Sequence, residues 1–334
     1  MLYDYNRTKN DKRGDTNMSE KKPGKKKDRQ PEKHRENPRP ERIRPSRLTD
    51  TNTPFALLTT LPSLIGVMIF FIIPFIIIIW YSFLDNPISK DFVFLKNYST
   101  LLDNYSFQMA ARNTLILSAV AVPLAVILSL GLAGLLDSKI PCKSLFRTLF
   151  LCPMMVPVAS IVLIWQVMFH YHGTVNDWMM NWFGSGPVDW MKSGKCLVVV
   201  VLLFLWKNLG YNMILFLSAL SNIPKDLLEM AELEGAGAFY RLVHIKLRYL
   251  SPTILFVTIL SLINSFKLFR EVYLLTGDYP YEDLYLLQHF MNNTFRSLDY
   301  QKLSAAAMIM SVVMVIIIGG LFIFENKFGK DVEE

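Results

Sequence analysis

The sequence predicts an all-α integral membrane protein with six spans. Of its 334 residues, 52% are hydrophobic and the mean hydropathy is +0.29, above the apolar share of a soluble domain. Six stretches, about 61–84, 113–136, 149–169, 197–219, 252–274 and 304–324, meet or approach the length of about 20 residues that a helix needs to cross a bilayer. Between the fourth and fifth lies residues 223–252, IPKDLLEMAELEGAGAFYRLVHIKLRYLSP. No lipid-embedded helix carries so many charges. That segment therefore belongs at a membrane face.

Taken in order, the chain begins with residues 1–50, which hold 16 Lys and Arg against 9 Asp and Glu, while the remainder balances at 19 against 19. The formal net charge of +7 thus resides in this tail. It has almost nothing to bury, so it is expected to be a disordered basic cytoplasmic tail, with residues 51–334 forming the membrane domain. A basic run of this kind fits nucleic acid in principle, but directly before a span it fits a topology anchor near anionic lipid. Met18, followed by Ser-Glu-Lys-Lys, is a second candidate start.

The first span carries Pro74, which removes a backbone donor and predicts a kink, and ends on Trp80 and Tyr81 at the outer interface. Residues 82–102 form a connecting loop leading to Ala111-Arg112-Asn113-Thr114 at the second span. The third span must break at Pro153 and Pro157, which is tolerated at membrane depth where the backbone is buried in protein or lines a wet cavity. Residues 171–195 read as an outer loop with Trp178, Trp182 and Trp190 as an interfacial belt, sugar stacking being the other use of such rings. Six crossings put both termini on one side. The tail and the short second loop with Lys139, Lys143 and Arg147 make that side cytoplasmic.

Polar residues interrupt two later spans: Trp206, Lys207, Asn208, Tyr211 and Asn212 in the fourth, Asn264, Ser265 and Lys267 in the fifth. At such depth they serve either interhelical hydrogen bonding or a translocation path. Trp165, Gln166, Asn212, Asn264 and Ser265 are the candidates to face a substrate cavity.

In the polar segment, Glu229, Ala231, Gly235 and Ala236 are spaced as in a short helix that stops at glycine. Phe239, Val243, Leu247 and Leu250 then form the apolar stripe of a second amphipathic helix, with Arg241, His244 and Arg248 opposite. An amphipathic helix lying on lipid is the alternative. Glu229, Glu232 and Glu234 sit where a lipid-surface helix carries lysine, which favours docking to a protein.

Enzymatic and nucleotide-binding motifs are missing from the sequence. GxxxxGK with Ser or Thr, GxGxxG after a strand, HExxH and GxSxG do not occur. Cys142, Cys152 and Cys196 are too scattered for a metal site or a disulfide framework, and His170 with His172 lacks a third ligand. No catalytic residue, metal or cofactor is expected.

The segment ExAxxxGA, on Glu229, Ala231, Gly235 and Ala236, resembles the EAA signature of the inner-membrane permease subunits of binding-protein-dependent ABC importers. Further stretches, LPSLIGVMIFFIIPFIIIIWYSF, FLKNYSTLL, ARNTL, FRTLFLCPMMVP, IVLIWQVMF and GTVNDW, are similar to the maltose, glycerol-3-phosphate and multiple-sugar branch, over about residues 57–326. Met230 replaces the first alanine of the signature and Glu234 its aspartate. Leu247-Arg248 stands for the usual Leu-Pro, with Pro252 kept, and Thr276-Gly277-Asp278-Tyr279-Pro280 for the glycine-rich Gly-Gly-Pro.

The resemblance implies a six-helix permease bundle of the type I ABC importer kind in a bacterial-type cell membrane. It also implies that 223–252 holds a cytoplasmic coupling helix seated in a separate ATPase subunit that binds ATP. The implied partners are a second permease as a heterodimer, an ATPase pair and an extracytoplasmic binding protein. The implied cargo is a sugar or related polyol. A membrane assembly or receptor subunit that docks a cytosolic partner without passing solute is the alternative from another class.

Overall fold

The computed structural model describes residues 53–86, 89–138 and 140–329; the basic tail of residues 1–50 lies outside them. The chain divides into two units, Met1–Thr60 and Leu61–Glu334. Within the first, residues 53–60 open a helix, α1 (Thr53–Val67). A π-helical turn (Met68–Ile72) and α2 (Ile73–Ser82) follow. The turn is the local answer to Pro74: the Ile73 N–H donates to the Met68 carbonyl five residues back, widening the helix where proline cannot donate.

The remaining elements are α3 (Lys96–Leu102), α4 (Tyr105–Asp137), α5 (Lys143–Met155), α6 (Val158–Met168), α7 (Thr174–Phe183) and α8 (Cys196–Ser221). After them come α9 (Lys225–Leu233), α10 (Ala238–Arg241), a π-helical turn (Leu242–Lys246), α11 (Leu247–Tyr249), α12 (Ser251–Lys267), α13 (Phe269–Thr276), α14 (Leu287–Arg296) and α15 (Tyr300–Gly329). Among the described residues five helical stretches are long and apolar enough to cross a membrane: Thr59–Ser82, Tyr105–Asp137, Cys196–Ser221, Ser251–Thr276 and Tyr300–Lys327. A further crossing is expected at 149–169; there the chain forms the pair α5 and α6, bent by 98° in the manner of a broken span or a re-entrant loop. Pro153 and Pro157 bracket that bend, as their missing donors dictate.

Lipid supplies no hydrophobic force between helices, so close backbone approach governs the bundle. Small residues provide it: Ala121, Ala125 and Ala133 of α4 are fully buried with α8. Gly210 of α8 lies so close to α5 that a Cβ there would sit 1.8 Å from the Phe150 carbonyl oxygen. Around this seam Ile161, Trp165, Phe204, Leu268 and Val272 form one core cluster, while Met213, Phe216, Leu250 and Val257 form a second. The outward faces of the first span and of α15 stay apolar and uncovered, as at Phe70 and Phe71 in the π-helical turn and at Val315 and Ile323, which suits contact with hydrocarbon.

The connections hold more structure than the sequence announces. Between the first two spans Asn97 donates to the Ser82 and Leu84 carbonyls at 2.9 and 2.7 Å, folding α3 back on the end of α2. The outer loop expected at 171–195 contains α7, held by the buried Asn176, which donates to the Tyr171 and Val188 carbonyls and accepts from Trp190 Nε1. Trp178 and Trp182 remain exposed. Trp190 instead packs edge-on against Phe169.

Helix α14 follows the fifth span and buries Leu287, His289 and Phe290. The His289 Nδ1 accepts from the Leu286 N–H at 3.3 Å, capping the helix, and the ring sits edge-on to Phe269. Burial pushes the His289 imidazole down to about 4, against a smaller upward pull from Asp278. The folded state thus takes up this proton less readily than the unfolded chain, whose histidine titrates near 6.5. Stability from this site is complete above about pH 6.5 and is lost as pH falls towards 4. Thermal unfolding of the purified complex in detergent is expected to drop across that window, and His289→Gln to flatten the drop. An unchanged profile in the variant would contradict the assignment.

Candidate functional site

The polar segment between the fourth and fifth spans is anchored at both ends and exposed around Gly235. Ile223 and Leu250 are buried in the cluster with Leu136 and Leu220, so the segment leaves and re-enters the bundle at fixed points. Helix α9 starts after Pro224, with Asp226 in its first turn where the helix dipole favours a negative charge. It ends in a Schellman cap: the Ala236 N–H donates to the Ala231 carbonyl at 2.9 Å and the Gly235 N–H to the Glu232 carbonyl at 3.0 Å. Gly235 has φ +83°, the left-handed conformation that a side chain opposes. Ala231, Gly235 and Ala236 are therefore three members of one helix stop. Glu229 takes no part in it and is exposed.

Apolar side chains surround this stop without cover. Leu233 is 89% exposed and Phe239 78% exposed, with Met230 and Tyr240 beside them in sequence. Arg241 pairs with Glu232 at 2.5 Å, tying α10 to α9 across the Gly235 turn. Lys246 reaches Asp137 at the end of α4 at 3.2 Å. The second amphipathic helix, expected over 239–250, is present as α10, the π-helical turn and α11 in succession. The widened turn carries Tyr240 and His244 into a ring stack with centroids 4.1 Å apart.

Inside the bundle a cavity of about 330 Å³ lies among α5, α8, α12 and α13, lined by Lys207, Asn208, Tyr211, Asn264, Lys267 and Glu271 together with Met154, Leu260, Leu268 and Arg270. Lys207 and Glu271 form an ion pair across it. Asn264 Nδ2 donates to Asn208 Oδ1 at 2.9 Å. Of the five substrate-path candidates, Asn264 lines this cavity, and the other four occupy other places. Asn212 is buried and donates to the Ser261 hydroxyl at 2.9 Å; Ser265 pairs with Ser118 at 2.9 Å. Trp165 stacks on Phe169 with centroids 5.0 Å apart. Gln166 donates to the Leu274 and Leu275 carbonyls at 3.2 and 3.4 Å. Neither Glu271 nor Arg270 is among the candidates the sequence offered. The signal was available: a lone carboxylate near the end of the fifth apolar run matches the lone lysine of the fourth.

The polar segment and the cavity lie in one stretch with a recognisable lineage. Residues 121–328 match the family model described as "Binding-protein-dependent transport system inner membrane component". The chain belongs to this family. It is a multi-pass inner-membrane permease component, a role in which the subunit is not itself an enzyme. The matched residues run from α4 to α15 and include every residue of both features described above.

Among its relatives, the trehalose/maltose transport system permease protein MalF of Thermococcus litoralis is 28% identical over 291 residues, 86% of this chain and 98% of that protein. The sn-glycerol-3-phosphate transport system permease protein UgpA of Yersinia pestis is 30% identical over 276 residues, 81% of this chain and 92% of that protein. In structure the permease resembles a chain of a bacterial alginate ABC transporter solved with an alginate pentasaccharide-bound periplasmic protein. That likeness has a TM-score of 0.71 at 21% identity, covering 83% of this chain and 94% of that one, and it establishes the shared fold.

Proposed function

We propose that this permease forms half of the translocation pathway of an ATP-driven ABC importer for a sugar or related polyol handed over by an extracytoplasmic binding protein. A second, different permease completes the bundle as a heterodimer, and a pair of ATPase subunits binds ATP. Both termini face the cytoplasm, with Lys143, Arg147 and the basic tail on that side. The observation that carries the reading is the uncovered apolar rim around the Gly235 stop, held between two buried anchors. In that arrangement Glu229 meets a basic or amide group of the ATPase, Ala231 and Ala236 allow close approach, and Gly235 sets the turn.

Movement of the segment is transmitted through Ile223 and Leu250 to α8 and α12, which form cavity walls. Asn264 faces the solute, while Trp165, Gln166, Asn212 and Ser265 hold those walls by packing and hydrogen bonds. The relatives' printed roles in maltose, trehalose and glycerol-3-phosphate transport favour the substrate class. The test is reconstitution of the intact complex in liposomes. ATP-dependent uptake, with ATP turnover stimulated by the loaded binding protein, is expected. A complex that docks its ATPase yet passes no solute would instead favour an assembly or receptor subunit.

A further inference from the structure

The charge of the cavity defines its ligand more narrowly than the importer reading does, and the inference rests on that reading. Lys207 and Glu271 neutralise one another. Lys267 and Arg270 also line the cavity, and neither has a carboxylate within ion-pair distance among the described residues. The wall therefore holds two cations in excess, both exposed towards the cavity mouth. Asn208 and Asn264 bond to each other and leave the Asn264 carbonyl oxygen as a further acceptor.

We propose that the cavity takes a hydroxylated solute bearing an anionic group, a sugar carboxylate or a polyol phosphate. Lys267 and Arg270 hold the anionic group by charge-assisted hydrogen bonds. The Asn264 carbonyl oxygen accepts from hydroxyls at the other end. The volume of about 330 Å³ sits at the small end of ligand cavities, so one or two ring units enter at a time.

The whole complex, with its binding protein, is reconstituted and offered four probes under ATP: oligogalacturonate, sn-glycerol 3-phosphate, maltotriose and raffinose. Uptake of an anionic probe is expected, and which one is taken distinguishes carboxylate from phosphate. The double variant Lys267→Gln, Arg270→Gln is expected to lower that uptake by about tenfold or more. The charge-keeping pair Lys267→Arg, Arg270→Lys retains most of it, which separates lost charge from misfolding. Uptake confined to maltotriose or raffinose, or anionic uptake indifferent to the glutamine pair, overturns the charge assignment and leaves the importer reading standing. ATP-dependent uptake of none of the four overturns both.

Discussion

Gly235→Asp is expected to abolish transport while the permease still inserts and folds. A Cβ at Gly235 meets nothing within 4 Å in the free chain, so the fold has room for the side chain. The left-handed φ of +83° adds a backbone cost of about 1–2 kcal/mol, confined to an exposed turn. The aspartate also places a negative charge at the C-terminal end of α9, beside Glu232 and Glu234, where the helix dipole disfavours it. The main loss is therefore expected at the surface proposed to seat the ATPase subunit, where disruption of a central contact costs about 2 kcal/mol or more. That corresponds to at least about thirtyfold in docking affinity. Glu229→Arg is expected to act the same way by charge reversal alone. Gly237→Ala supplies the control, because Gly237 has φ −64° and open space around it. Uptake is measured with membrane protein levels in parallel. Full transport by Gly235→Asp would remove the docking role from this turn.

Gly210→Val is expected to have the opposite character, with little folded permease recovered. Here the obstruction is internal: the Phe150 carbonyl oxygen and carbon stand 1.8 and 2.3 Å from the position of a Cβ. Backbone cannot swing aside as a side chain can, so α5 must separate from α8. Overpacking of this kind costs about 1–3 kcal/mol or more. The seam also carries Met154 into the cavity wall, so surviving protein should transport poorly. Gly210→Ala should show a weaker form of the same defect. Gly131→Ala and Gly134→Ala, at α4 positions with nothing within 4 Å, should be tolerated, since alanine is the better helix former. Detergent thermal stability by size-exclusion recovery measures all four. A Gly210→Val protein as stable as the parent would show that α5 does not pack as described.

Much of this was legible in the residues because one local cause dominated each feature. Long apolar runs announce their own crossings, and Pro153 and Pro157 announce the bend between α5 and α6, since a missing donor acts wherever it falls. The stop at Gly235 was legible for the same reason: a Schellman cap needs a glycine, and its neighbours follow from its geometry. Features requiring a distant partner were not. Nothing near Gly210 in the sequence names Phe150. The short helices α3 and α7 are held by Asn97 and Asn176 reaching across loops, and α14 by the Leu287 N–H donating to the Thr114 hydroxyl of α4, which local periodicity does not register. The second amphipathic helix contains a π-helical turn at Leu242–Lys246 that the apolar stripe does not announce. Asn212 and Ser265 illustrate a third case. Buried polar residues in spans announce that they need partners, and only the packed bundle supplies Ser261 and Ser118.

The central claim is that the segment around Gly235 seats an ATPase subunit on the cytoplasmic face. It is tested most directly by a cysteine at Leu233, the most exposed apolar residue of that rim, with Cys142 and Cys152, the exposed native thiols, changed to serine. In intact cells this cysteine should resist a membrane-impermeant maleimide added outside. In the purified importer complex a short bis-maleimide should join it to a cysteine placed on the ATPase subunit, with Gly235→Asp abolishing the adduct. Labelling from outside, or an assembled and active complex in which Leu233→Cys never joins the ATPase, would contradict the account.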